Sequence, residues 1–291
     1  MIVALRFSEG SSNTIWSDGV LVAKGDDVVR LFMRIILRIG EGGMERCRTL
    51  RAMFELLYDT IVALVWGRGK RRISMKQVMN QVLFTGVDAF AIISIIGLLC
   101  GVIITIQAMT NMPKIGAGEY FGTIMVIAVI RELGPFFTSL VVIGRSGAAL
   151  AAYIGNMRVS KEITALEGMG VDLTHFIVVP AFVGMILSLI ALNIYFDIIA
   201  VVGGLLISQA AVNVPFGIFI SRVVDAITIT DIGVSVFKNV LFGATIAIVS
   251  CYHGLHAANV RMVPRAVFRA VVGSIIATLA INVALTIGFY A

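Results

Sequence analysis

Charge is what this 291-residue chain has least of: 14% of its residues are Asp, Glu, Lys or Arg, while 59% are hydrophobic. Soluble domains carry about 25% charged residues, so the shortage excludes an ordinary water-soluble enzyme and leaves an integral membrane protein. Cysteine is also scarce. Cys47, Cys100 and Cys251 show no CxxC spacing, and Cys100 sits in an apolar run, which argues against a disulfide framework or a thiolate metal site. The histidines, His175, His253 and His256, form no cluster with cysteines and acids, so no metal centre is expected. No GxxxxGK[ST] loop occurs; any ATP hydrolysis must come from another chain. The opening MIVALRFSEG lacks the apolar core and cleavage site of a secretory signal, so the spans themselves are expected to direct insertion.

What charge there is lies unevenly. The net charge is +6, and 13 of the 23 Lys and Arg residues fall within residues 1–82, ahead of the first long apolar run. That asymmetry fits the inner side of a membrane rather than nucleic acid. Residues 1–45 are read as an extension without an assignable role, although Arg30, Arg34 and Arg38 form a basic stripe beside Leu31, Ile35 and Ile39, suited to a membrane surface. Residues 46–82 hold an apolar stretch interrupted by Glu55 and Asp59 and followed by Trp66 and the Arg68–Arg72 cluster. This reads as an interfacial amphipathic helix, with a soluble amphipathic helix as the alternative.

Residues 83–291 hold the spans. The first is Ala89–Met112, 24 residues without a charge, enough to cross the hydrocarbon, which needs about 20. The second runs from Tyr120 to about Ala152, the third from Phe176 to Ile207, the fourth from Gly233 to Leu255 and the fifth from Val267 to Tyr290. Asp197 interrupts the third and raises the alternative of a turn and a sixth span. Five spans place 18 Lys and Arg residues inside and only Lys114 and Arg222 outside, the stronger inward bias. The expected fold is an all-α membrane protein with five transmembrane helices, preceded by interfacial helix.

The unusual chemistry is concentrated between Val129 and Asp172. Arg131 and Glu132 lie inside the second span, and ionisable residues in lipid mark functional sites unless paired. Gly134 and Pro135 follow, and proline supplies no N–H to the helical ladder, so a helix broken at mid-depth is expected. Glu132 and Arg131 are candidates to line a substrate cavity, with Lys238 of the fourth span as an available partner for Glu132. Ile104, Met109, Met112 and Ile115 either wall an apolar pocket facing Glu132 or simply face lipid. Arg145 is expected to snorkel near the inner interface, among small residues such as Gly144 and Gly147 that permit close helix packing. The run RVSKEITALEGMGVD reads as a short amphipathic helix ended by glycine.

These motifs carry a family resemblance. RELGP, GRSGAALAAYIGNMRVSKEITALEGMGVD, the VVP that follows, Gly203–Gly204, FKNVLFG, CYHGL and AVVGS together resemble the MlaE/YrbE permeases of lipid-transport ABC systems, over roughly residues 75–290. Tyr153, Thr164 and Asn282 depart from acidic residues usual in that family. The resemblance implies a homodimer in the bacterial inner membrane. It implies a cytoplasmic MlaF-like ATPase, which holds ATP and Mg, gripped through Met157, Arg158, Lys161, Glu162, Glu167 and Gly168. It also implies an MlaD-like MCE-domain protein outside, an MlaB-like STAS-domain protein on the ATPase, a phospholipid cargo and a role in outer-membrane lipid asymmetry. The chain itself holds no cofactor and is no enzyme in this reading. Two rivals stay open: an ion- or proton-coupled carrier using Arg131, Glu132, Lys238 and Asp197 as a relay, although no internal repeat supports it, and a membrane scaffold without transport.

Overall fold

The computed structural model describes residues 48–64, 75–86, 89–111, 121–212 and 215–290. By its contacts the chain divides into two compact units, Met1–Glu55 and Leu56–Ala291, and the candidate spans among the described residues lie in the second. Trp66, Arg68–Arg72, Met112, Ile115 and residues 1–45 fall outside the described residues, whereas residues 48–64 and 75–82 of the expected interfacial region are described and helical. Helix α1 covers residues 48–64. It is followed by α2 (Met75–Gly86), α3 (Phe90–Asn111) and α4 (Gly122–Val159), then the short α5 (Glu162–Gly168). Next come α6, whose first turn Thr174–Val178 runs into Val179–Val212, α7 (Phe216–Ala226), α8 (Ile229–Leu255) and α9 (Val263–Tyr290). No strand occurs among the described residues.

Five of these helices, α3, α4, α6, α8 and α9, are long and apolar enough to cross a membrane. Asp197 does not break the third of them, which is continuous from Val179 to Val212. The polar stretch after it is partly helical as α7, and Asp231 belongs to the first turn of α8 rather than to a loop.

The order of burial shows how the bundle is layered. In the most apolar windows of α4, α6 and α8, 50–61% of residues are buried, against 22% in α3 and 17% in α9, so α3 and α9 flank a three-helix centre. That centre is closed by small residues, because lipid offers no hydrophobic drive and close backbone approach must supply the dispersion energy. A Cβ on Gly243 of α8 would lie 2.8 Å from the Ile186 Cα of α6, and one on Gly254 would lie 2.9 Å from the Ala151 carbonyl oxygen of α4. The seam between α3 and α6 is tighter still: a Cβ on Gly101 would overlap the Ala200 carbonyl, and one on Gly203 would sit 2.5 Å from the Leu98 carbonyl oxygen.

Helix α4 is not a plain α-helix. It widens into π-helical turns at Val126–Leu133 and again at Ile143–Gly147. The expected break at Gly134–Pro135 does not occur: Pro135 sits in the first turn of the α-helical segment that resumes at Gly134. The widened turn accommodates the proline without interrupting the chain's path, since the Gly134 N–H reaches back to the Val129 carbonyl, one residue farther than in an α-helix.

The seam predicts a contrast between glycines. Gly101→Ala is expected to destabilise the detergent-solubilised protein by about 2 kcal/mol, as overpacking does. Gly144→Ala, whose Cβ would meet nothing within 4 Å, should lose no stability. Thermal unfolding of the two variants side by side checks this; equal melting points would refute the seam.

Candidate functional site: a charged cluster between spans

The widened turn of α4 brings Arg131 and Glu132 against α8, and each meets a charge there. The Lys238 ammonium lies 2.8 Å from Glu132 Oε1, and Arg131 Nη2 lies 2.6 Å from Asp231 Oδ1. Lys238 has no exposed side-chain surface and Asp231 only 1%, whereas Glu132 and Arg131 keep 29% and 23%. The α8 members are thus sealed in, and the α4 members reach an edge.

A sealed ammonium needs all three of its protons accepted. Lys238 donates to Glu132 Oε1, to the Arg131 carbonyl at 3.1 Å and to Thr286 Oγ1 at 3.2 Å. The Arg131 carbonyl is open to it for a reason written in the sequence. In an α-helix that oxygen would accept from the residue four positions on, which is Pro135, and proline has no N–H. Glu132 is held in turn from α9: the Thr286 hydroxyl donates to Oε1 at 3.0 Å or Oε2 at 3.2 Å, and the Asn282 amide donates to Oε2 at 3.3 Å. Asp231 closes the N-terminus of α8, where its Oδ2 accepts from the Thr228 N–H at 3.1 Å and from the Thr228 hydroxyl. A carboxylate there also faces the positive end of the helix dipole.

Beside this cluster, Gly134 permits the close approach of α6. A Cβ at Gly134 would lie 2.6 Å from Asp197 Oδ1 and 2.9 Å from Asn193 Oδ1. The Asn193 amide donates to Asp197 Oδ2 at 3.2 Å and to Ser235 Oγ at 3.1 Å. Among the described residues no cation forms a salt bridge with Asp197, which is half-buried.

The structure therefore joins Arg131, Glu132 and Lys238 in one cluster. Ile104 and Met109 are half-buried on α3 and contribute no polar contact to it. Gly147 packs against Ile246 and Ser250 of α8, whereas Gly144 faces open space; Arg145 lies between them in the second π-helical turn. Sequence reasoning missed Asp231, Asn282 and Thr286 as members. For Asp231 a signal existed, because Thr228 three residues ahead spells a helix-capping pattern. For Thr286 none did, since nothing in the sequence sets the register of α9 against α4.

At the far end of α4 the chain turns sharply. Lys161 adopts a left-handed conformation (φ 61°), α5 follows, and Gly170 (φ 73°) ends it. Only Ile163 of α5 is fully buried; Arg158, Lys161, Glu162, Glu167 and Gly168 are all exposed, and Met157 is buried beneath them. The arrangement is a short polar helix pinned by one isoleucine.

Comparison with known proteins agrees with this architecture. The family described as Permease MlaE matches residues 78–287. A probable ABC transporter permease of Rickettsia typhi is 30% identical over 72% of this chain and 81% of its own length. One from Synechocystis is 33% identical over 71% of this chain and 77% of its own. The intermembrane phospholipid transport system permease protein MlaE of Haemophilus influenzae is 26% identical, over 77% and 85%.

The burial asymmetry predicts an ordering. Breaking a buried pair costs about 3–5 kcal/mol through the charge left behind, and the fully buried ammonium is the worse orphan. Glu132→Ala is expected to lower thermal stability more than Lys238→Met, and Glu132→Gln/Lys238→Met should recover much of the loss. Unfolding of the purified variants measures this, and a reversed order would contradict the geometry.

Proposed function

The chain belongs to the MlaE permease family, a multi-pass inner-membrane protein that serves as the transmembrane subunit of an ABC-type transporter, and from this premise we propose how it works and what it carries. Two copies form the membrane unit, each engaging a cytoplasmic MlaF-like ATPase that binds ATP and Mg and performs the hydrolysis. An MlaD-like MCE protein receives or delivers cargo on the outer side, and an MlaB-like STAS protein attends the ATPase. The cargo is phospholipid, moved between the inner membrane and the periplasmic carrier, which supports outer-membrane lipid asymmetry. The name of the Haemophilus relative supports this cargo.

The observation that carries the reading is α5. A seven-residue helix with a single buried side chain gains little by folding onto its own bundle, and its exposed Glu162 and Glu167 offer anionic contacts to a partner. Lys161 joins α5 to α4 through one tight turn, so a push on α5 is delivered along α4. The π-helical turns are the places where α4 can change register at least cost, and the first of them holds Arg131 and Glu132. The ATPase stroke is thus coupled to the charged cluster, and opening between α4, α8 and α9 admits lipid at the edge that the half-buried Glu132 and Arg131 reach.

Reversing one charge on α5 tests the coupling. Glu162→Arg is expected to reduce co-purification of the ATPase at least about tenfold, an effect of roughly 1.4 kcal/mol, while the permease still inserts and melts normally. Undiminished ATPase retention together with normal lipid transport would overturn the assignment.

A further inference from the structure

A cavity lies at the α5 end of the bundle, remote from the charged cluster. It has a volume of about 380 Å³, is partly open, and is framed by α2, the last turns of α4 and the start of α6. Its position follows from how α2 docks. Val78 and Thr85 are buried, Gln81 packs where a Cβ on Gly184 would fall, and the Val82 carbonyl accepts from the Ser188 hydroxyl at 3.4 Å. This fixes α2 along α6 and leaves a gap toward α4.

The lining divides by chemistry. The amides Gln77, Asn80 and Gln81 come from α2 and the Tyr153 phenol from α4, beside apolar groups that include Met157 and Phe176. Gln81 donates weakly to Thr85, at 3.4 Å, whereas the side chains of Gln77 and Asn80 have no hydrogen-bond partner among the described residues. Among the described residues, no lining residue is charged. A phosphate placed here would lose its hydration without gaining a cation, which costs several kcal/mol, whereas hydroxyls and esters match amide donors and acceptors well. Phe84, which lines the cavity, and the outward Met79 and Leu83 of α2 are exposed and apolar, so a chain leaving the cavity finds a greasy path along the helix.

We infer that this cavity binds the glycerol-ester end of an uncharged lipid of the diacylglycerol type. The site differs from the cargo path in both place and chemistry: its described lining holds no ionised side chain, and it sits at the stem of α5. Because Met157 forms part of its wall, an occupant packs against the turn of α4 that carries the coupling helix.

Photolabelling of the full-length protein in phosphatidylcholine nanodiscs tests this. With a photoreactive diacylglycerol, label is expected on peptides containing Gln77–Phe84 and Tyr153–Met157, displaced by excess diolein but not by phosphatidylglycerol. Gln77→Leu/Asn80→Leu should cut that labelling about tenfold, the loss of two hydrogen bonds at under 1 kcal/mol each. Tyr153→Phe, a change at an exposed position, should cut it by a smaller factor while leaving the melting point unchanged. Labelling that phosphatidylglycerol displaces equally, that maps elsewhere, or that persists in both variants would overturn the inference. None of these readouts requires the ATPase.

Discussion

A lysine ammonium with no exposed surface in a membrane protein is a constraint that everything near it must meet. Lys238 meets it with three acceptors drawn from two other helices: a carboxylate and a backbone carbonyl of α4, and a hydroxyl of α9. Each acceptor fixes something. The carboxylate sets the rotation of α4, the hydroxyl sets the register of α9, and the carbonyl requires that residue 135 be unable to claim it. Buried ion pairs contribute little net stability because desolvation offsets attraction. Their stronger effect is to penalise every arrangement in which they are unmade. In lipid, where apolar helices slide past one another at small cost, such a penalty supplies the specificity that hydrophobic packing cannot.

The same constraint explains why RELGP reads as a unit. Arginine and glutamate are adjacent and point to different partners on one helix, Asp231 at the start of α8 and Lys238 two turns farther along. Glycine lets the polar face of α6 approach, and proline frees the carbonyl. Each residue answers a different demand of one junction among four spans. The cluster holds two positive and two negative side chains, so it is neutral as a whole, and Asn282 reaches it with an amide rather than a charge. This pairing weakens the case for a proton relay through Arg131, Glu132 and Lys238, since each already has a fixed partner.

Much of this was legible before any coordinates. The apolar runs gave the five spans because a bilayer demands about 20 apolar residues per crossing, and the inward bias of Lys and Arg chose five over six. Continuous helix through Asp197 agrees. The pairing of Glu132 with Lys238 was available from scarcity alone, as few charges in the spans could answer one another. The helix ends were less legible: α4 runs on to Val159 through residues too small and polar to resemble a span, and α8 begins at Ile229 because Thr228 and Asp231 cap it. The π-helical turns were hidden, since a proline in a span predicts a break as readily as a widening. Contacts set by helix register, such as those of Thr286 and Asn282, have no local signal at all.

The two ends of α4 then acquire complementary characters. At one end charged groups are locked to α8 and α9, so that end moves only if the lock opens or travels as a body. At the other, Ile163 is the one fully buried residue of α5, and the buried Met157 forms part of a cavity wall. The loosely held element is α5 itself, since the last turns of α4 pack closely on α8, where a Cβ on Gly254 would lie 2.9 Å from the Ala151 carbonyl oxygen. The π-helical turns at Val126–Leu133 and Ile143–Gly147 divide α4 between those ends, giving places where the backbone can tighten by one residue without losing its hydrogen bonds to lipid. Under the coupling proposed above, force entering at α5 reaches Glu132 along α4, and the charged cluster sets the threshold that a movement there must exceed.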